Sequence, residues 1–267
     1  MTQYTCITYH VADNNVFETC LRSLRQVSDC QLIVFTDNVP EDLRVEWERQ
    51  YGVKWKVVPP SAMKGKRAAF KVKSLNRFAC KLPVGSQVLA ADVDLYFMED
   101  PFTAFGVADF QLAVTTRGYS YHTPINAGVY FYRVNKSLKE FLKFHTQQVF
   151  HPSWETYVSI RKTLQHARFG LDWTVGQDFL YAVWQEKQWV EKTFGVRVVD
   201  VGPGYNYCPD TDGGRCAQGL IEARKAYAAQ EVKVLHLKSK LKELVYSGLL
   251  KYAVVRHPRG VSNWLTH

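Results

Sequence analysis

No apolar stretch in this 267-residue chain exceeds strand length, so nothing approaches the roughly 20 residues that a membrane-spanning helix needs. Met1-Thr2-Gln3-Tyr4 leads straight into a strand-like segment, without the charged and apolar regions of a secretory signal. A soluble, cytoplasmic protein is the expectation. Cysteine is sparse: Cys6, Cys20, Cys30, Cys80, Cys208 and Cys216 show no C-x-x-C spacing, which argues against a paired-cysteine zinc site and a disulfide framework. Most of them are expected as reduced core residues. Low-complexity linkers and internal repeats are also missing, so residues 1–267 are expected to form a single domain. Acidic residues are outnumbered, 25 against 34 Lys and Arg, giving a net charge of +9. Such a field draws anions without choosing among nucleotide phosphates, nucleic acid and acidic membrane, and an ordinary solvated basic face gives the same balance.

What is present is a substantial core, with 46% apolar and 14% aromatic residues. The first ninety residues alternate strand and helix patterns, the signature of a parallel sheet with crossover helices. Thr5–Tyr9, Gln31–Thr36 and Val53–Val58 read as strands. A helix capped by Asp13 carries Val16, Phe17, Cys20, Leu21, Leu24 and Val27 at the 3.6 period. Pro40 and Gly52 bracket the next helix, and a third spans Arg67–Lys81 with Phe70, Leu75, Phe78 and Ala79 inward and Lys71, Lys73 and Arg77 near its other faces. Beyond Pro101, Gln111–Thr115 and Val129–Arg133 read as strands and three helical stretches fill Lys136–Lys192. Val196–Val199 and Val232–Leu237 are expected to close the sheet, followed by a last helix over Leu241–Tyr252.

Asp92-Val93-Asp94, directly after the apolar run Val88-Leu89-Ala90-Ala91, carries the most chemistry. On an extended strand Asp92 and Asp94 project the same way and Val93 turns towards the core. Two close carboxylates repel unless a cation relieves them, and hard divalent ions such as Mg²⁺ or Mn²⁺ favour oxygen ligands while leaving positions for water and phosphates. With 13 Asp in the chain, about 0.6 Asp-x-Asp occurrences are expected by chance, so the strand context matters. The second match, Asp210-Thr211-Asp212, lies in a Gly- and Pro-rich stretch and reads as a loop. In open α/β sheets ligands bind beyond the carboxyl ends of the strands, where Thr8, Tyr9, Asp37 and the two aspartates should gather. Residues 1–100 are thus the expected nucleotide-binding half.

Four segments in order resemble nucleotide-sugar-dependent glycosyltransferases of the GT-A fold, of the glycogenin and lipopolysaccharide-galactosyltransferase type. They are Phe70–Leu75 leading to Val88–Asp94, then Asn126-Ala127-Gly128-Val129, Gly176-Gln177-Asp178-Phe179-Leu180, and Leu235–Lys240. The resemblance implies an open, twisted, mostly parallel Rossmann-like sheet flanked by helices. It implies that Asp92, Asp94 and His236 bind Mn²⁺ or Mg²⁺ across a nucleotide diphosphate, with residues 101–267 completing the metal site and binding the acceptor. Thr8, Tyr9, Lys73, Asp92, Val93, Asn126, Ala127, Gly128, Lys238 and Lys240 are then expected at the donor, most simply a UDP-sugar. Lys242, or Arg77 in place of Lys73, could serve the same phosphates. Asp178, with Gln177, resembles the carboxylate near the anomeric carbon. It acts as general base if the reaction inverts, and orients substrate or supports an oxocarbenium-like centre if it retains. The family's usual His-x-x-Gly-x-x-Lys-Pro-Trp ending is replaced here by His236-Leu237-Lys238-Ser239-Lys240-Leu241-Lys242-Glu243-Leu244.

The expected activity is metal-dependent transfer of a sugar to an acceptor hydroxyl. Basic and aromatic residues interleaved in Tyr119–His122, Arg161–Phe169 and Arg256–Arg259 would suit a polyanionic acceptor, such as duplex DNA with a hydroxylated base or an anionic envelope glycan, while a protein or small-molecule acceptor stays open. A nucleotidyltransferase also pairs carboxylates with Mg²⁺, but His10-Val11-Ala12-Asp13-Asn14 lacks its Gly-rich phosphate loop. A non-catalytic nucleotide-sugar-binding module is the third class.

Overall fold

The computed structural model describes residues 4–10, 14–59, 67–116, 124–165, 175–208, 232–237 and 242. Strands β1 (Tyr4–His10), β2 (Gln31–Thr36), β3 (Val53–Val57) and β4 (Gln87–Ala91) alternate with helices α1 (Asn14–Val27), α2 (Glu41–Tyr51) and α3 (Arg67–Lys81). After them come β5 (Leu95–Phe97), β6 (Leu112–Val114), β7 (Val129–Arg133), α4 (Lys136–Phe150), α5 (Glu155–Gln165), α6 (Val175–Gln185), α7 (Lys187–Phe194), β8 (Val198–Asp200) and β9 (Val234–His236). Seven strands form one sheet in the order β3-β2-β1-β4-β7-β6-β8, in which β7 alone runs antiparallel to its neighbours. The expected open, mostly parallel α/β sheet is present.

Both faces of this sheet are covered, and alternation along each strand divides the core accordingly. Cys6, Leu32, Val34, Leu89 and Ala91 point into one apolar layer with Phe17, Leu21 and Trp47 of α1 and α2. Ile7, Ile33, Val88 and Ala90 point into the other, with Leu75, Phe141 and Phe179 of α3, α4 and α6. The chain winds outward from β1 to β3, then returns to place β4 on the other side of β1. That reversal opens a crevice at the carboxyl ends of β1 and β4, the switch point where such sheets bind ligands. Thr8 pairs with Ala91 in register, so Tyr9 and Asp92 leave the ladder at the same edge.

Several expectations change. β4 ends at Ala91 and the chain bends at Val93 and Asp94 into β5: Asp92 N–H still bonds Gly128 O (2.7 Å) across from β7, but Gly128 N–H is taken by the Asn126 side chain and the ladder stops there. Among the described residues of 136–194 there are four helices, not three: Pro152 has no N–H with which to continue α4, the Gln148 side-chain oxygen accepts from Ser153 and Trp154 N–H just beyond it (2.8 Å each), and Glu186 separates α6 from α7. β9 does not close the large sheet. It pairs antiparallel with β5 in a separate two-stranded ribbon, His236 opposite Leu95. Pro40 is the residue before α2 rather than its first, and Gly52 ends that helix at φ 61°, a left-handed conformation that suits glycine. Asp13, and the proposed last helix apart from Lys242, lie outside the described residues.

Candidate metal centre and active site

The bend after β4 and the short ribbon beside it build one cluster. Leu237 N–H donates to Asp94 O (2.7 Å) and His236 N–H to Tyr207 O (2.8 Å), which pins β9 against the bend. The imidazole of His236 is thereby delivered to both carboxylates, with Nε2 3.0 Å from Asp94 Oδ1 and 3.7 Å from Asp92 Oδ2. One ligand atom from each of Asp92, Asp94 and His236 lies within 4.8 Å of the other two. The triad grades inward from Asp92, whose side chain is 25% exposed, through Asp94 at 11%, to His236 at 1%.

Two lysines stand on this acidic cluster. Lys71 Nζ bonds Asp92 Oδ1, and Lys242 Nζ lies 3.0 Å from Asp94 Oδ2. Without a metal ion, these ammonium groups relieve the repulsion between the carboxylates. The same negative charge is felt further away: burial first, and then Asp92, push the Tyr130 hydroxyl upward. The Cys20 thiol is pushed up to about 12, chiefly by burial and then by Asp94 and Asp92 against a backbone bond near Leu95 that lowers it. Burial likewise raises Cys6, Cys30 and Cys80, so these thiols stay protonated core groups, and none of the described cysteines is bridged.

A divalent cation fits these donors. Two carboxylate oxygens and an imidazole nitrogen match the preferences of Mn²⁺, and Mg²⁺ is served by the oxygens. Gly128 leaves the room: a Cβ there would lie 2.8 Å from His236 Nδ1 and 3.1 Å from Asp92 Oδ2. The need for glycine here is close approach of the backbone to the imidazole, not an unusual φ.

The remaining sequence-derived candidates are spread over several elements. Thr8 and Tyr9 sit at the β1 edge, both buried, with the Tyr9 ring stacked on Phe35 at 6.4 Å between centroids. Val93 is half-buried and packs on the core as expected. Asn126, Ala127 and Gly128 precede β7, and the Asn126 side chain is turned inward, its Oδ1 accepting from Gly128 N–H (3.0 Å) and its Nδ2 facing His236 Nδ1 (3.3 Å). Gln177 and the buried Asp178 occupy the first turn of α6, which abuts α3: a Cβ on Gly176 would lie 3.1 Å from Val72 Cγ2. Lys73 is drawn elsewhere, its Nζ 5.4 Å from the ring centroids of both Phe70 and Phe150. Lys71, on another face of α3, is the residue that reaches the cluster, because positions two apart on a helix diverge by about 200°. Lys238, Lys240, Asp210, Asp212, Cys216, Tyr119–His122 and Arg256–Arg259 lie outside the described residues, as does 166–169 of the basic stretch.

Sequence reasoning left out Lys71 as a partner of Asp92, and Asn206. Asn206 ends the short 3₁₀ turn Pro203–Asn206 and is buried against His236, with Oδ1 3.0 Å from Nδ1. In sequence it is one polar residue of a Gly-Pro-Gly turn, where Asn is commonplace, so no local signal marks it.

Comparison with solved structures places the fold among the GT-A glycosyltransferases. The chain is similar to the glycosyltransferase GlyE of Streptococcus pneumoniae TIGR4 at 13% identity and a TM-score of 0.53, covering 96% of this chain and 62% of that one. It thus spans under two thirds of the length of GlyE. It is also similar to the galactosyltransferase LgtC, solved with donor and acceptor sugar analogues, at 15% identity and a TM-score of 0.51, covering 91% of this chain and 95% of that one. No protein-family model and no curated protein matches the chain. Among the described residues, no helix is long and apolar enough to cross a membrane.

Proposed function

We propose that this chain is a metal-dependent glycosyltransferase that moves a sugar from a nucleoside-diphosphate donor, most simply a UDP-sugar, to an acceptor hydroxyl. The observation that carries the reading is the convergence of Asp92, Asp94 and His236 at the switch-point edge of a GT-A sheet. A divalent cation held there supplies charge neutralisation to the departing nucleoside diphosphate. Lys71 and Lys242, already at the carboxylates, are placed to take up charge developing on the same leaving group. Thr8 and Tyr9 sit at the crevice edge where the nucleoside is expected, with Val93 and Ala127 on the chain segments that frame the cluster. Asp178, buried in the first turn of α6, is the carboxylate we assign to the neighbourhood of the anomeric carbon, with Gln177 beside it. In an inverting reaction it takes the acceptor proton, and in a retaining one it orients substrate.

The net charge of +9 suits a hydroxyl on an anionic polymer, DNA or glycan, without selecting it over a hydroxyl on a protein or small molecule, and the assay below separates these acceptors. The test is a panel of nucleotide sugars with Mn²⁺, scoring released UDP or GDP with and without duplex DNA and anionic glycan. Metal-dependent release that disappears in Asp94→Ala is the expected result. Pyrophosphate release would identify a nucleotidyltransferase, and donor binding without turnover a binding module. For DNA, retention at low salt that falls steeply with ionic strength is required, since phosphate contacts release counterions.

A further inference from the structure

The orientation of the His236 imidazole is set by side chains behind it. Asn206 Nδ2 has two acceptors, Thr115 Oγ1 at 3.0 Å and Asn126 O at 3.1 Å. Its nitrogen is therefore committed away from the imidazole, and the amide oxygen is what meets His236 Nδ1 at 3.0 Å. Asn126 is fixed the opposite way, its oxygen bound to Gly128 N–H and its nitrogen 3.3 Å from the same Nδ1. Thus Nδ1 lies between an acceptor on Asn206 and a donor on Asn126. A neutral imidazole carries one proton, and the amide that Nδ1 engages decides where it sits. With the proton on Nδ1, donated to Asn206, Nε2 presents a lone pair towards Asp92 and Asp94. With the proton on Nε2, donated to Asp94, Nδ1 accepts from Asn126 and no lone pair faces the carboxylates.

Resting on the metal reading above, we propose that Asn206 is a positioning residue for the metal site: its side-chain oxygen holds the proton on His236 Nδ1 and so makes Nε2 the ligand atom. All three groups are almost fully buried, Asn206 at 2%, Asn126 at 3% and His236 at 1%, so water competes little for these bonds. Partners of this kind behind a ligating histidine typically change metal affinity by about 10- to 100-fold when removed. The same Asn206 side chain also braces the turn beneath, because its nitrogen supports Thr115 and Asn126 O. The two roles run through different atoms and are separable.

Mn²⁺ alone is titrated into wild type, Asn206→Leu, Asn206→Asp and Asp94→Ala, with free Mn²⁺ counted by electron paramagnetic resonance. Asn206→Leu removes the oxygen and should weaken Mn²⁺ roughly 10-fold or more. Asn206→Asp keeps an acceptor towards Nδ1 but loses the donors to Thr115 and Asn126, and should bind at least as tightly as wild type. Equal losses in both variants would mean that Asn206 only braces the turn, and no loss in Asn206→Leu would also overturn the proposal. In parallel, ¹⁵N spectra of wild type loaded with Zn²⁺, a diamagnetic imidazole-binding stand-in for Mn²⁺, with the His236 signals identified by their loss in His236→Ala, should show the proton on Nδ1. A proton on Nε2 in that state contradicts it, and this measurement decides the matter if Asn206→Leu does not fold. Should Asp94→Ala bind Mn²⁺ like wild type, the metal reading itself fails; should Asp94→Ala lose it while Asn206→Leu keeps it, the positioning role alone falls.

Discussion

Two histidines, each 1% exposed, sit in opposite surroundings in this molecule. His145, on α4, lies flat on the Phe179 ring, with centroids 3.9 Å apart and planes 7° from parallel, and neither ring nitrogen has a hydrogen-bond partner among the described residues. Its burial depresses its pKa to about 3, so it behaves as a neutral aromatic of the helical layer. His236 is buried to the same depth but faces two carboxylates on one side and two amides on the other. Depth therefore does not single out the histidine of the proposed metal site. Convergence of acceptors on one ring nitrogen, with the other nitrogen engaged from behind, does.

The contrast can be broken or sharpened by substitution. The largest effect is expected from Asp94→Ala or Asp92→Ala: loss of Mn²⁺-dependent donor turnover by at least about 100-fold with the fold retained, because both residues lie on a bend at the edge of the sheet. Equal turnover in either variant would remove the distinction between the two histidines. Gly128→Ala should weaken Mn²⁺ by roughly 10-fold or more by pushing the imidazole aside, and a crystal structure of that variant should show His236 displaced. Lys71→Met should tighten binding of Mn²⁺ alone by a few-fold while weakening that of UDP, since it removes a cation competing for Asp92 but also one available to the diphosphate. A calorimetric titration separates the two signs.

His145 supplies the control. In the unfolded chain it takes up a proton near pH 6.5, whereas the folded site resists protonation until about pH 3. Between those values the unfolded state binds more protons, so this group makes stability rise with pH and be lost as pH falls below 6.5, by up to about 1.4 kcal/mol per pH unit. His145→Phe should flatten the fall in denaturation midpoint between pH 6 and pH 4, as read in urea melts at both pH values, without changing Mn²⁺ affinity. A flatter slope together with altered metal binding would mean that the two regions are coupled.

Much of the sheet was legible because its strands and helices keep strict periods: α1 shows its apolar stripe, α3 has the expected ends, and β2 and β7 match residue for residue. The Asp92–Asp94 cluster could be read because an acidic pair follows an apolar run. The partition of the described residues of 136–194 into four helices was legible only in part: Pro152 marks the end of α4, but the break between α6 and α7 falls at Glu186, a good helix former that gives no stop signal. The ribbon of β5 and β9 was not legible: three-residue strands 137 positions apart, from Phe97 to Val234, leave no periodic trace. Lys71 and Lys73 look alike in sequence, and only helix geometry and the Phe70 and Phe150 rings decide which one meets Asp92. Asn206 acts through a contact formed across 30 residues and reads locally as a turn former.

The most direct measurement is a crystal of the wild-type chain soaked in Mn²⁺ and recorded at a wavelength where manganese scatters anomalously. A single anomalous peak at coordination distance, roughly 2 Å, from carboxylate oxygens of Asp92 and Asp94 and from His236 Nε2 is predicted. Electron density with Lys71 and Lys242 still seated on the two aspartates and no anomalous scatterer between them and the imidazole, at a Mn²⁺ concentration that supports turnover, would contradict it.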